Sequence, residues 1–222
     1  MFKIERKKVG IAAMLLLILF CAQAAFGQAA PKTAGEFNTR GLQYYKNKEY
    51  AKAIDDYTQA IKLDSKNYIY LYNRGIAYWM RDENEKAITD FTQAIKLNPN
   101  DADVFEYRAL AYEDNHDMDK AFDDYSQAIK INPKSDFAYQ KRGIIYFKNS
   151  IFGDPDNRIR AIADLNQAIT LNPNNFNAYL YRAHCYHYYD DAKARADVSK
   201  ALQLNPNNQE AKDLASTLGM KF

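Results

Sequence analysis

Two histidines, His184 and His187, stand three residues apart with Cys185 between them. On a helix, i and i+3 share a face, and that spacing can hold a metal ion. Cys185 points elsewhere and no third ligand is assured, so neither a metal nor another cofactor is expected. A second set of residues is ionic. Arg40, Arg74, Arg108, Arg142 and Arg182 recur before a small residue, and Asp56, Asp90, Asp124, Asp164 and Asp197 recur further along. As chemistry, such arginines could hold an anionic ligand. As structure, each pairs with an aspartate of its own or the adjacent unit where two helices meet. One arginine and one aspartate per unit favours structure, so Arg74, Asp90, Arg108 and Asp124 are assigned structural roles. Nothing resembles a Ser/His/Asp order, a phosphate loop or a paired-carboxylate cleft, so no catalytic residue and no enzyme is expected.

These residues sit in a repeating frame. Gly41, Gly75, Ala109 and Gly143 follow one another at intervals of 34, each trailed by a tyrosine: Tyr44, Tyr78, Tyr112 and Tyr146. Segments such as EKAITDFTQAIKLNPN and DKAFDDYSQAIKINPK recur in step. Inside one unit the period is helical: Phe105, Ala109 and Tyr112 share one face, then Ala121, Tyr125 and Ala128 share another. Gly41, Gly75 and Gly143 sit mid-face, where glycine costs roughly 1 kcal/mol and so implies close packing. Polar turns separate the two helices. Asn-Pro pairs at Asn98-Pro99, Asn132-Pro133, Asn172-Pro173 and Asn205-Pro206 stop the second helix. The prediction is an all-α array of helix-turn-helix units without strands, each unit burying its apolar face on the next.

The pattern resembles the tetratricopeptide repeat family. The second unit supplies its marks as Leu71, Gly75, Tyr78, Ala87, Phe91, Ala94 and Pro99, and the third as Phe105, Ala109, Tyr112, Ala121, Tyr125, Ala128 and Pro133. The first departs at Ser65, where the family pattern carries proline; the fourth and fifth carry Leu165 and Val198 where it carries an aromatic. The resemblance covers roughly residues 34 to 220 and implies a right-handed α-solenoid. Its repeats run about 34–67, 68–101, 102–135, 136–175 and 176–208, with a capping helix over 209–220. Together they make a single domain over 34–222. The fourth repeat carries six extra residues near KNSIFGDPDNR, expected to swell the loop between its helices, with Asp154-Pro155 starting the second. That loop is read as a tolerated surface insertion or as a partner contact with Ile151 and Phe152 at its tip.

Residues 1–27 read as a secretory signal. Lys3, Arg6, Lys7 and Lys8 precede a short apolar run and a small-residue exit, with cleavage expected after Gly27 or a few residues later and a short linker over 28–33. Retention as an uncleaved anchor is the alternative, and a lipid anchor on Cys21 fits less well because Phe20 is bulky. Either way the remaining chain is expected outside the cytoplasmic membrane, in a bacterial periplasm or envelope or secreted. The full chain has 30 basic and 28 acidic residues, but without the leader 26 bases face 27 acids, leaving no basic tract for nucleic acid. Cys185 then stands alone, so no internal disulfide forms.

In such arrays the resemblance places binding on the inner face of each unit's first helix. That assigns Asn38, Leu42 and Tyr45; Ile69, Tyr72, Ile76, Trp79 and Met80; Asp103, Glu106, Leu110 and Glu113; Phe137, Gln140, Ile144 and Phe147; and Asn177, Leu180, His184, His187 and Tyr188. The partner contacts selected are Tyr72, Trp79, Met80, Glu106, Phe137, Phe147, His184, His187 and Tyr188. Trp79 serves equally as an anchor or as packing beneath the next repeat. Leu42 and Ile76 occupy places where the clamp for carboxylate tails puts asparagine, which disfavours an acidic tail. The expected function is a protein-interaction scaffold that binds a peptide segment or a partner protein through aromatic anchors. The alternatives are a structural subunit of an envelope complex and, more remotely, a metal binder through His184 and His187.

Overall fold

The computed structural model describes residues 31–150, 155–187 and 189–221. The expected leader, Ile151 and Phe152 of the expected loop tip, and Tyr188 lie outside them. Helices α1 (Ala34–Lys46) and α2 (Tyr50–Leu63) form the first repeat, α3 (Tyr68–Trp79) and α4 (Asn84–Leu97) the second, and α5 (Ala102–Asp114) and α6 (Met118–Ile131) the third. Then come α7 (Asp136–Ser150) with α8 (Pro155–Leu171), α9 (Phe176–Tyr186) with α10 (Asp191–Leu204), and a last helix, α11 (Gln209–Thr217). No strand occurs among the described residues.

The helix ends follow from short polar side chains. Thr33 and Glu36 form a reciprocal capping box at the start of α1, and Asn67, Asp101, Asn175 and Asn208 each accept an orphan amide at a later start. At the stops, Asn98, Asn132 and Asn172 accept the amide two residues on, and Asp64 does the same before Ser65. The first repeat therefore ends like the others without its proline, because the side-chain turn sets the backbone. The turns inside repeats one to three place Lys48, Asp82 and His116 in the left-handed region at φ 62°, 59° and 60°. Each is followed by an amide bonding back to Tyr44, Tyr78 or Tyr112.

The helices of the fourth repeat are long: α7 has 15 residues against 12 or 13 in α1, α3 and α5, and α8 has 17 against 14 in α2, α4 and α6. The loop expected to swell, 151–154, lies outside the described residues. Helix continuation satisfies each added backbone group internally, which a longer loop leaves to solvent. Pro155 is the first residue of α8, where its missing N–H is no loss.

Within each repeat the small residue receives the large one of the second helix. A Cβ on Gly75 would lie 2.6 Å from Phe91, and one on Gly41 would lie 2.6 Å from Tyr57. Tyr57, Phe91, Tyr125, Leu165 and Val198 are all fully buried, so leucine and valine occupy the aromatic's place in the core.

The arginines pair as the structural reading expects. Arg40–Asp56, Arg74–Asp90, Arg108–Asp124, Arg142–Asp164 and Arg182–Asp197 are bidentate at 2.6–2.9 Å, each within its own repeat. A further nitrogen reaches the preceding repeat: Arg74 donates to Thr58, Arg108 to Thr92, Arg142 to Ser126 and Arg182 to Asn166. Tyr44, Tyr78, Tyr112 and Tyr186 stack between this arginine and a lysine of the second helix. The guanidinium ladder is consumed by the scaffold.

Candidate functional site

The first helices of successive repeats touch in one layer, α1 on α3, α3 on α5 and α7 on α9. Their contacts assemble the expected binding face. Asn73 donates its amide to Asn38 at 2.8 Å. Tyr107 of α5 stands edge-on to Tyr72 and to Trp79 of α3, at centroid distances of 5.6 and 5.9 Å. The Trp79 indole N–H donates to Asp114 at 2.6 Å, which fixes the ring across the seam between repeats two and three. Trp79 thus packs under the next repeat and stays half-exposed.

Apolar side chains open this face to solvent in the first two repeats. Leu42, Ile69 and Met80 are 38%, 42% and 41% exposed, and Trp79 and Ile76 lie half-buried on the same stripe. The third repeat turns acidic. Asp103 is exposed, and Glu106 accepts the Ser135 hydroxyl. Glu113 accepts the Tyr125 hydroxyl and pairs with Lys141 at 3.1 Å. Burial pushes the Glu106 carboxyl above the ordinary carboxylate range, and neighbouring Asp103 and Asp136 push it the same way.

Further along, Phe137 is half-buried, edge-on to Tyr125 and under the Lys141 ammonium. Phe147, expected as a partner contact, is 8% exposed and packs on Tyr181 and His184; Gln140 and Leu180 are buried as well. The seam with α9 covers Phe147, and Leu180 packs in a core with Val198 of α10 and Leu214 of α11, which a fixed register of groove positions does not anticipate. His184 and His187 turn to different carboxylates, Glu210 at 3.1 Å and Asp191 at 3.4 Å. No group of three side chains suited to a metal occurs among the described residues. Cys185 is buried, and burial pushes its thiol up to about 12.

Sequence reasoning missed Tyr107, Tyr181, Lys141 and Asp114. The first three directly precede a ladder arginine, as Asn73 does, and that arginine's fixed pairing aims its neighbour at the previous repeat. The residue before each arginine was the available signal.

Family models described as tetratricopeptide repeat match residues 68–101 and 108–135, and one described as TPR repeat matches 41–82. The chain is a tetratricopeptide repeat protein. No curated protein matches it. Among solved structures, this TPR chain is similar to YrrB, a TPR protein with an unusual peptide-binding site. They share 17% identity over 82% of this chain and 91% of that one, at a TM-score of 0.67. It is also similar to a MamA RS-1 double mutant, at 18% identity over 82% and 99% with a TM-score of 0.69. These likenesses establish the solenoid fold. The first TPR of Spaghetti (RPAP3), bound to the HSP90 peptide SRMEEVD, shares 26% identity over 51% of this chain and 90% of its own, at a TM-score of 0.50.

Proposed function

We propose that this TPR protein is a non-enzymatic adaptor that holds a peptide segment or partner protein against the inner face of α1, α3 and α5. The observation that carries this is the row of solvent-exposed Leu42, Ile69 and Met80 beside Trp79. Apolar side chains left to water on adjacent packed helices are a cost unless a partner covers them. Repeat scaffolds of this fold present such surfaces, and the RPAP3 repeat carries a bound peptide. Leu42 and Ile76 replace the polar clamp that an acidic tail requires, so the anchors are aromatic and aliphatic side chains. The basic head and apolar run of residues 1–27 support a site of action outside the cytoplasmic membrane, in a bacterial periplasm or envelope or after secretion. No described helix is long and apolar enough to cross a membrane.

Affinity capture from the native envelope, with the wild type beside an Ile69→Ser, Met80→Ser variant, tests the reading. Both side chains are exposed, so circular dichroism should be unchanged while a specific protein disappears from the variant's capture. An identical partner set from both proteins would move binding off this face.

A further inference from the structure

Five carboxylates border the apolar stripe: Asp101, Asp103 and Glu106 at the start of α5 beside Asp136 at the start of α7, and Asp114 at the far end of α5. Most accept hydrogen bonds, but only from neutral donors. Asp101 accepts from the Tyr68 phenol, Asp114 from the Trp79 indole and Glu106 from the Ser135 hydroxyl; Asp136 accepts from the amides of Asn172 and Asn175. A neutral donor satisfies a lone pair and leaves the charge in place. None of the five is ion-paired among the described residues, and the one lysine of this face, Lys141, is engaged by Glu113. The raised Glu106 carboxyl records the same imbalance, since burial and two like charges act on it with no cation in answer. The arginine ladder cannot supply one, because each guanidinium is bidentate on its own aspartate.

Resting on the groove reading above, we propose that the occupant is a cationic amphipathic segment. An apolar or aromatic side chain sits on Leu42, Ile69 and Met80, and a lysine or arginine sits between Asp103 and Glu106. The charge supports this: the open apolar surface and the uncompensated acids lie on neighbouring inner helices. Packed helices stand about 10 Å apart, a distance that an extended segment covers in about three residues. Apolar contact and charge are then met by one short stretch of chain, and a like-charged acidic tail is repelled.

Trp79 is the single tryptophan of the chain, so its fluorescence reports on this face alone. The test titrates the full-length protein with positional-scanning mixtures of amide-capped nonapeptides. Each mixture has one fixed aromatic residue and a second fixed residue that is Lys, Arg, Gln or Glu. Lys and Arg mixtures should bind at least about tenfold more tightly than Gln mixtures, with Glu mixtures weakest. The preference should shrink between about 0.05 M and 0.5 M salt. Asp103→Asn with Glu106→Gln should erase it while leaving the aromatic preference intact; glutamine keeps the acceptor that Ser135 uses. Equal binding of Lys and Gln mixtures, or an unchanged preference in the double variant, overturns the cationic occupant and leaves the groove reading standing. No response from any mixture overturns both. A second copy as the occupant would appear as a dimer in sedimentation that Glu106→Gln dissociates, and that result also overturns the proposal.

Discussion

At the scale of residues, the ladder arginines separate two roles that a sequence shows as one letter. Arg74, Arg108, Arg142 and Arg182 tie their own second helix to the one before, and their side chains are only 16–20% exposed. Arg40 bonds to no preceding repeat among the described residues and is 34% exposed. Removing Arg108 strands Asp124, a carboxylate that burial already pushes up. Arg108→Met should therefore cost about 3–5 kcal/mol, and Arg108→Met with Asp124→Leu should recover most of it. Arg40→Met should cost roughly half as much, because solvent screens that pair. Urea unfolding of the three variants checks the order, and equal losses at Arg40 and Arg108 would refute the cross-repeat role. That the charges pair was legible, since one arginine and one aspartate recur in each repeat; whether the aspartate belonged to the same or the adjacent repeat was not. The bond to Thr58, Thr92, Ser126 or Asn166 was not, because small polar residues at a surface position carry no distinctive pattern.

At the scale of elements, repeats one to three share one turn geometry. The three left-handed turn residues, Lys48, Asp82 and His116, all carry a side chain that this conformation penalises. His116→Gly should raise stability by about 1 kcal/mol, read as an upward shift of the urea midpoint. A lower midpoint would mean that the imidazole makes a contact worth more than the strain. The helix periods and stops were plain in the sequence, down to Asn98, Asn132 and Asn172. The fate of the fourth repeat's insertion was not: composition near KNSIFGDPDNR reads as loop, yet packing draws residues into both α7 and α8. Propensity is a weak prior beside the burial available to a longer helix pair.

At the scale of the whole molecule, the array closes on α11, whose Ala211, Leu214, Ala215 and Leu218 are buried with Val198 and Ala201 of α10. His184 joins α9 to this last helix through Glu210. Burial holds the His184 imidazole below its ordinary range against the pull of Glu210, so the fold favours the neutral ring. Its contribution to stability is therefore present above the unfolded histidine's pKa of about 6.5 and is lost as pH falls through the lower folded value. Between about pH 7.5 and pH 5, the wild type should lose more stability in urea than His184→Gln. A wild type that gains on the variant in acid would show that the Glu210 attraction outweighs burial. The sequence by itself determined the repeat, its helices and that its charges pair, because period, caps and one arginine and one aspartate per repeat are local or regular in register. Only the tertiary structure decided which groove positions remain open. Leu42, Ile69 and Met80 stay in water while Phe147, Gln140 and Leu180 are covered, since exposure depends on how neighbouring repeats lean together and not on position within one. It also decided that Asp101, Asp103, Glu106 and Asp114 make no ion pair among the described residues, because each ladder guanidinium is held by its own aspartate and Lys141 by Glu113.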